Sequence, residues 1–301
     1  MAIRYLEQKY INYTLWDRCI SRSINSEIYV YSWYLDTIAG TWDAIIEDDY
    51  EFIMPLVFSG NFFSKKIYQH PLIKHVGIFS GSPVKAEKIF LFLNAIPKKF
   101  GRIEICFNRQ NTQAIKEPLT ICMNVYELDM IIPYERKIKS YSVPVKQALE
   151  VARKRKLSVM HHISIFELHN LLHQSPVKIS EELIITPLLR ILSRLISLSK
   201  AEIIGIYGPE NTCYAAGCFI RSGNNVILIF GYTLPLGVET NANYLLLDSF
   251  LESYSGRNVT LSLEHIDDVW NDDFYTAFGA LRSYQYCFAR NRIFRPFRWI
   301  F

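Results

Sequence analysis

The sequence predicts an α+β fold built from two similar units. The first observation is a repeated run. Residues 86–93 form a helical stretch that leads to Phe100-Gly101-Arg102 and an apolar strand at 103–107; residues 243–251 form another, leading to Ser255-Gly256-Arg257 and a strand at 259–263. The second is a strand hairpin ahead of each helix, at 43–58 with 65–68 and at 202–207, 214–220 and 226–230. The third is composition: half the residues are hydrophobic and 14% aromatic, enough for a large core and the opposite of a disordered chain. Solenoid repeats have much shorter periods. A length of 301 residues suits two domains, expected at 1–133 and 134–301.

Residues 10–40 read as helices around a loop, with Asn25 and Ser26 as caps for a helix holding Ser32-Trp33-Tyr34-Leu35-Asp36. Residues 42–68 alternate and read as strands. A glycine-punctuated loop at 71–82 follows, then a helix at 84–98 and the strand from Ile103. Residues 119–128 read as a further strand. Residues 134–143, rich in charge and hydroxyls, are the expected boundary. The helix at 145–156 has one apolar face (Val145, Leu149, Val151, Ala152) and one basic face (Lys146, Arg153, Lys154, Arg155, Lys156). Helices at 163–172 and 181–197 come next. Pro209-Glu210-Asn211 and Ser222-Gly223-Asn224-Asn225 are the turns of the second hairpin. A last helix is expected at 267–278 and a final strand at 282–289.

The net charge of +4 points to no partner by itself, but Arg282, Arg290, Arg292, Arg295 and Arg298 crowd the end among Phe294, Phe297, Trp299 and Phe301. That tail suits an anionic ligand, a membrane surface or nucleic acid, or else a packed strand with arginines reaching outward. The start lacks an apolar signal core, and no uncharged apolar stretch approaches the length of a membrane span. The six cysteines are scattered with no C-x-x-C pair and read as reduced core residues of a cytoplasmic protein.

In the second half the expected order is helix, helix, three-strand meander, helix, strand, helix, strand. That layout, with Ser32-Trp33-Tyr34-Leu35-Asp36, Trp42-Asp43-Ala44, Met54-Pro55-Leu56, Gly77-Ile78-Phe79-Ser80, Ser140-Tyr141-Ser142 and Phe274-Tyr275-x-x-Phe278-Gly279-Ala280, resembles tandem GNAT-like (acyl-CoA N-acyltransferase fold) proteins. These are of the FemAB/FemX aminoacyltransferase and BioF2-like acetyltransferase type. The resemblance covers nearly the whole chain. It implies two tandem GNAT-like domains, each a mixed twisted sheet flanked by helices.

The resemblance also implies a function: transfer of an acyl group from acyl-CoA, as co-substrate, or from aminoacyl-tRNA to a small-molecule or lipid-linked amine. Nucleic acid would enter only as that tRNA. The alternative is a relative that keeps the fold and binds a ligand, lipid surface or protein without catalysis. Departures are visible. The pyrophosphate loop of such domains becomes residues 234–243, with one glycine and a glutamate, Glu239. Gly237, Thr240, Asn241 and Ala242 are its candidate contacts, although Thr240 and Asn241 also suit helix caps. The family's strand end becomes Leu263-Glu264-His265-Ile266, and its entry motif retains only Lys146.

Acyl transfer to an amine needs a base and an acid. Glu264 is the candidate base, weighed against a solvated strand-end carboxylate. His265, its strand neighbour, is expected to point away. Tyr284 or Tyr286 is the candidate acid, weighed against packing. In relatives of this type the first-half loops approach the second-half cleft, so Trp33, Tyr34, Gln69, His70 and Lys146 are candidate acceptor contacts; an interface role is the other reading. His169 and His173 lie one helical turn apart, but no third ligand is evident and the H-E-x-x-H signature is absent, so no metal is expected.

Overall fold

The computed structural model describes residues 2–60, 65–115, 121–176, 178–265 and 267–292. The chain forms two compact units, one of residues 1–123 with 284–301 and one of residues 124–283. The expected division at 133/134 therefore differs from the observed one, and residues 284–291 of the final strand belong to the first unit. The charge-rich stretch taken for a boundary is a helix, Tyr134–Ser140. Its Lys137 is buried and donates Nζ to the Asp129 carbonyl at 2.6 Å.

The first unit contains β1 (Ile3–Leu6), α1 (Tyr13–Arg22), α2 (Ser32–Ile38), β2 (Trp42–Glu47), β3 (Phe52–Ser59), β4 (Lys65–Ile67), β5 (Phe79–Ser80), α3 (Ala86–Ala95), β6 (Phe100–Cys106) and α4 (Arg109–Ala114). Its strands lie in the order β1-β2-β3-β4-β6, with β5 on β3. Neighbours are antiparallel except β4 and β6, which run parallel on either side of α3 in sequence. Every residue of β2 is buried, so the strand is covered on both faces rather than alternating. Its carboxylates are satisfied: Asp43 accepts from the Tyr5 hydroxyl and the Gln8 N–H, and Glu47 pairs with Lys88 at 2.7 Å. Asn25 and Ser26 do not cap α2. Asp17, on α1, accepts from both the N–H and the hydroxyl of Ser32 at 2.8 Å. The cap comes through space, which local sequence cannot reveal.

The second unit takes residues 124–129 of β7 (Ile121–Asp129), then α5 (Tyr134–Ser140), α6 (Val143–Lys154), β8 (Ser158–Met160), α7 (Ile165–His173), a π-helical turn at Glu181–Ile185, and α8 (Thr186–Ser197). The antiparallel meander β9 (Ala201–Tyr207), β10 (Cys213–Ser222), β11 (Asn225–Thr233) follows, then α9 (Pro235–Glu239), α10 (Ala242–Tyr254), β12 (Thr260–Leu263) and α11 (Asp272–Ala277). The strand order is β8-β9-β10-β11-β12-β7, antiparallel except β11 with β12. The core packs Phe219 flat on Phe250 at 3.9 Å, with Leu246, Trp270, Tyr275 and Phe278 around them. The last strand, β13 (Leu281–Asn291), pairs antiparallel with β6 through residues 287–291.

Each unit thus holds a strand–helix–parallel strand crossover, β4-α3-β6 and β11-α10-β12. The two glycines used to align the repeat do not correspond. Gly101 lies inside β6, whereas Gly256 takes φ +80 in the turn before β12. The last helix is also shorter than expected. Asp267 accepts from the N–H groups of Val269 and Trp270, making a turn, and α11 starts only after Asn271, whose side chain accepts from the Phe274 N–H.

Cys106 and Cys287, opposite each other on β6 and β13, form a disulfide. This corrects the expectation that all six cysteines are thiols; a disulfide persists in an oxidising environment. Cys19, Cys213 and Cys218 are free among the described residues. No helix of the described residues is long and apolar enough to cross a membrane. Arg295, Arg298 and the aromatic residues expected beside them lie outside the described residues. Arg292 donates from Nη1 to the Ile96 and Pro97 carbonyls.

Candidate functional site

The parallel contact in the second unit is short. β11 and β12 pair from Asn225/Thr260 to Leu228/Leu263. At that level β10 and β11 change register: Cys218 faces Phe230 while Phe219 faces Leu228, so Ile229 is the extra residue of a bulge. A bulge bends and twists its strand. β12 stops at Leu263, while β11 continues to Thr233 beside β10. The last link across is the Glu264 N–H to the Leu228 carbonyl at 3.4 Å.

Beyond that link the chain carries Glu264, His265 and Asp267. Glu264 is only 8% exposed, so it is not a solvated strand-end carboxylate. His265 was expected to point away because strand side chains alternate. The strand has already ended, and alternation does not apply. Its Nε2 lies 3.1 Å from Asp267 Oδ2, and its ring sits 5.0 Å from that of Phe230. Burial alone would raise the Asp267 pKa, but the His265 bond and the N–H groups of Trp270 and Val269 outweigh it and hold the carboxyl below its ordinary value. The Tyr275 hydroxyl donates to the His265 carbonyl and fixes the segment from behind. A base whose imidazole is oriented by a carboxylate is a familiar acid–base arrangement. The E-H-x-D run was the available signal for it.

Trp270 folds back onto β11. It is fully buried, and its indole Nε1 donates to Thr233 Oγ1 at 3.2 Å. Gly231 makes this possible, because a Cβ there would lie 3.0 Å from the indole.

The expected cofactor loop is a short helix. The N–H groups of Val238, Thr240 and Asn241 go to the carbonyls of Leu234, Leu236 and Val238. Gly237 is packed against the Tyr214 carbonyl, where a Cβ would come within 2.6 Å. Thr240 does not cap the start of α10; its hydroxyl donates back to the Leu236 carbonyl. Asn241 precedes α10 in the left-handed conformation, φ 60, without a side-chain cap. Ala242 is buried at the first position of α10. Asn243, 3% exposed, has an Oδ1 with no hydrogen-bond partner among the described residues.

The other candidates divide between the two units. Tyr284, 54% exposed, and Tyr286 are on β13 in the first unit, whereas Glu264 is in the second. Lys146 is exposed and donates to the Lys139 carbonyl. Trp33, Tyr34, Gln69 and His70 all belong to the first unit. The Tyr34 hydroxyl is used by the Leu72 carbonyl at 2.8 Å, and Gln69 Oε1 accepts from the Cys106 N–H. These two carry structural bonds.

His70 does too. It is 2% exposed and its Nδ1 accepts from the Leu72 N–H at 3.1 Å. Burial, and then the charge of Lys74, push its pKa down from 6.5 to about 4. The folded state keeps this imidazole neutral while the unfolded chain protonates it. Stability therefore falls as pH drops from 6.5 toward 4, by up to about 3 kcal/mol. His70→Asn, whose Oδ1 replaces Nδ1 as acceptor, should flatten the change in urea midpoint between pH 7 and pH 5 relative to the wild type. Equal slopes for the two proteins would refute the assignment.

No protein-family model matches the sequence, and no curated protein matches it. Solved structures do. FemX superposes with a TM-score of 0.63 at 11% identity, covering 100% of this chain and 99% of its own. L-PGS from Bacillus licheniformis gives 0.55 at 9%, covering 99% and 96%. A tandem GNAT protein from the clavulanic acid biosynthesis pathway gives 0.51 at 9%, covering 97% and 99%. At such identities the likeness is one of fold: the chain has the tandem GNAT-like α+β fold of the FemAB type.

Proposed function

We propose that this protein transfers an acyl or aminoacyl group from a thioester or ester donor to an amine. The observation that supports this best is the end of the parallel pairing of β11 and β12 at Leu228/Leu263, beside the Ile229 bulge, with Glu264 and the His265–Asp267 pair on the chain that follows. The amine lone pair attacks the acyl carbon, and Glu264 takes the N–H proton. The C–N bond forms, the C–S or C–O bond breaks, and the leaving group receives a proton.

Acyl-CoA fits as donor in one respect: α10 begins with no capping side chain, so its first N–H groups are left for an anion. Ala242 and Asn243 would hold the donor, with Asn241 at the rim. Glu239, exposed on α9, opposes a pyrophosphate. Aminoacyl-tRNA remains the other donor class. The acceptor class is a small or lipid-linked amine.

A second reading rests on the same loop. Three of its N–H groups are spent inside α9 and Thr240 is turned inward, which suits a relative that binds without transferring. Thermal shift with acetyl-CoA, long-chain acyl-CoA, free CoA and an aminoacyl-tRNA separates the readings. A transferase should melt higher with at least one acylated donor, roughly in proportion to the logarithm of its concentration above Kd. No shift with any of the four would overturn the proposal.

A further inference from the structure

The pair His169 and His173 was set aside for want of a third ligand, and the fold supplies one. Ser180 starts a π-helical turn: its carbonyl accepts from the N–H groups of both Ile184 and Ile185. This turn carries Glu181 back to the end of α7. His169 Nε2 and His173 Nε2 are 2.9 Å apart, and Glu181 Oε2 lies 4.0 Å from His173 Nε2. All three ligand atoms lie within 4.8 Å of one another.

The geometry points to a binding site for a divalent transition-metal ion, zinc in the first instance, held by His169, His173, Glu181 and water. With bonds of about 2.0–2.1 Å, a tetrahedral ion separates its donor atoms by about 3.3 Å. The observed spacings bracket that value, so small side-chain rotations would seat the ion. Glu181 has room to turn, being half exposed on its surface. Its other oxygen accepts from Thr186 Oγ1 at 3.0 Å, the kind of outer contact that orients a ligating carboxylate. His173 is the last residue of α7, where the helix dipole favours a cation. Two imidazoles and a carboxylate suit zinc, nickel or copper, not magnesium. With one ligand at the start of the turn into α8 and two on α7, the ion ties these helices together in the folded state only. Binding therefore raises the melting temperature.

The test uses untagged full-length protein, titrated with zinc against a chromophoric chelator and melted with and without zinc. One saturable site is expected, with a higher melting temperature. E181Q should bind at least about tenfold more weakly, H173A should lose the site, and a H161A/H162A double variant should bind like the wild type. Circular dichroism confirms that each variant is folded. No saturable zinc binding by the wild type overturns the assignment. So does E181Q binding as tightly as the wild type, which would leave Glu181 outside the ligand set. Loss of binding in the H161A/H162A variant would place the ion elsewhere and also overturn it.

Discussion

Glu264→Gln should slow acyl transfer by about 10²- to 10⁴-fold, the range typical for loss of a general base. The substitution keeps the shape of the side chain and removes only its capacity to take a proton. Glu264 is 8% exposed and follows the last residue of β12, so a near-isosteric amide disturbs little packing. The melting temperature and the KM for the donor should change little while kcat falls. That split is the diagnostic, because a merely structural role would lower stability and rate together. An unchanged kcat would remove Glu264 from the chemistry and leave the His265–Asp267 pair as the remaining base in this segment.

Trp270→Ala should lower the free energy of unfolding by about 3–5 kcal/mol, the usual range for emptying a buried tryptophan site. Trp270 is fully buried, packs edge-on to Phe274 at 5.2 Å and lies on the bare backbone of Gly231. Nothing nearby can collapse into the space without moving β11. Trp270→Phe retains most of the ring contact and loses the bond to Thr233 Oγ1, so it should cost about 1 kcal/mol for the bond and somewhat more for the smaller ring. Urea denaturation of both variants measures the two losses. A change below 1 kcal/mol for the alanine variant would mean that the indole does not hold the segment after β12 against β11.

Much of the fold was legible because its elements have strong local periods. The meander at 202–230, the helix after it and the strand beyond appear where apolar runs and Asn/Gly turns placed them. Errors arose where contact overrode composition. Residues 134–143 read as a boundary by their charge and hydroxyls, yet 134–140 form a helix whose Lys137 donates to the Asp129 carbonyl. The cap of α2 comes from Asp17, fifteen residues before Ser32. The last helix lost its first turn because the Asp267 side chain satisfies backbone donors better than a helix would. At the site, Glu264 could be named from a family motif. Its neighbour could not, because alternation holds only while a strand lasts, and no local signal marks Leu263 as the end. The third ligand beside His169 and His173 was hidden for a similar reason: Glu181 is near them only after a loop has turned.

The first unit is assembled from both ends of the chain, whereas the second is one continuous segment. During synthesis, residues 124–283 leave the ribosome before the partner strand that β6 requires. The nascent chain therefore holds the bare edge of β6 open until residues 287–291 arrive, and an open edge invites pairing with other chains. The later-made half is in this sense the first that can finish, and the Cys106–Cys287 bond can close only once residue 287 has emerged, as a latch on the half that started first.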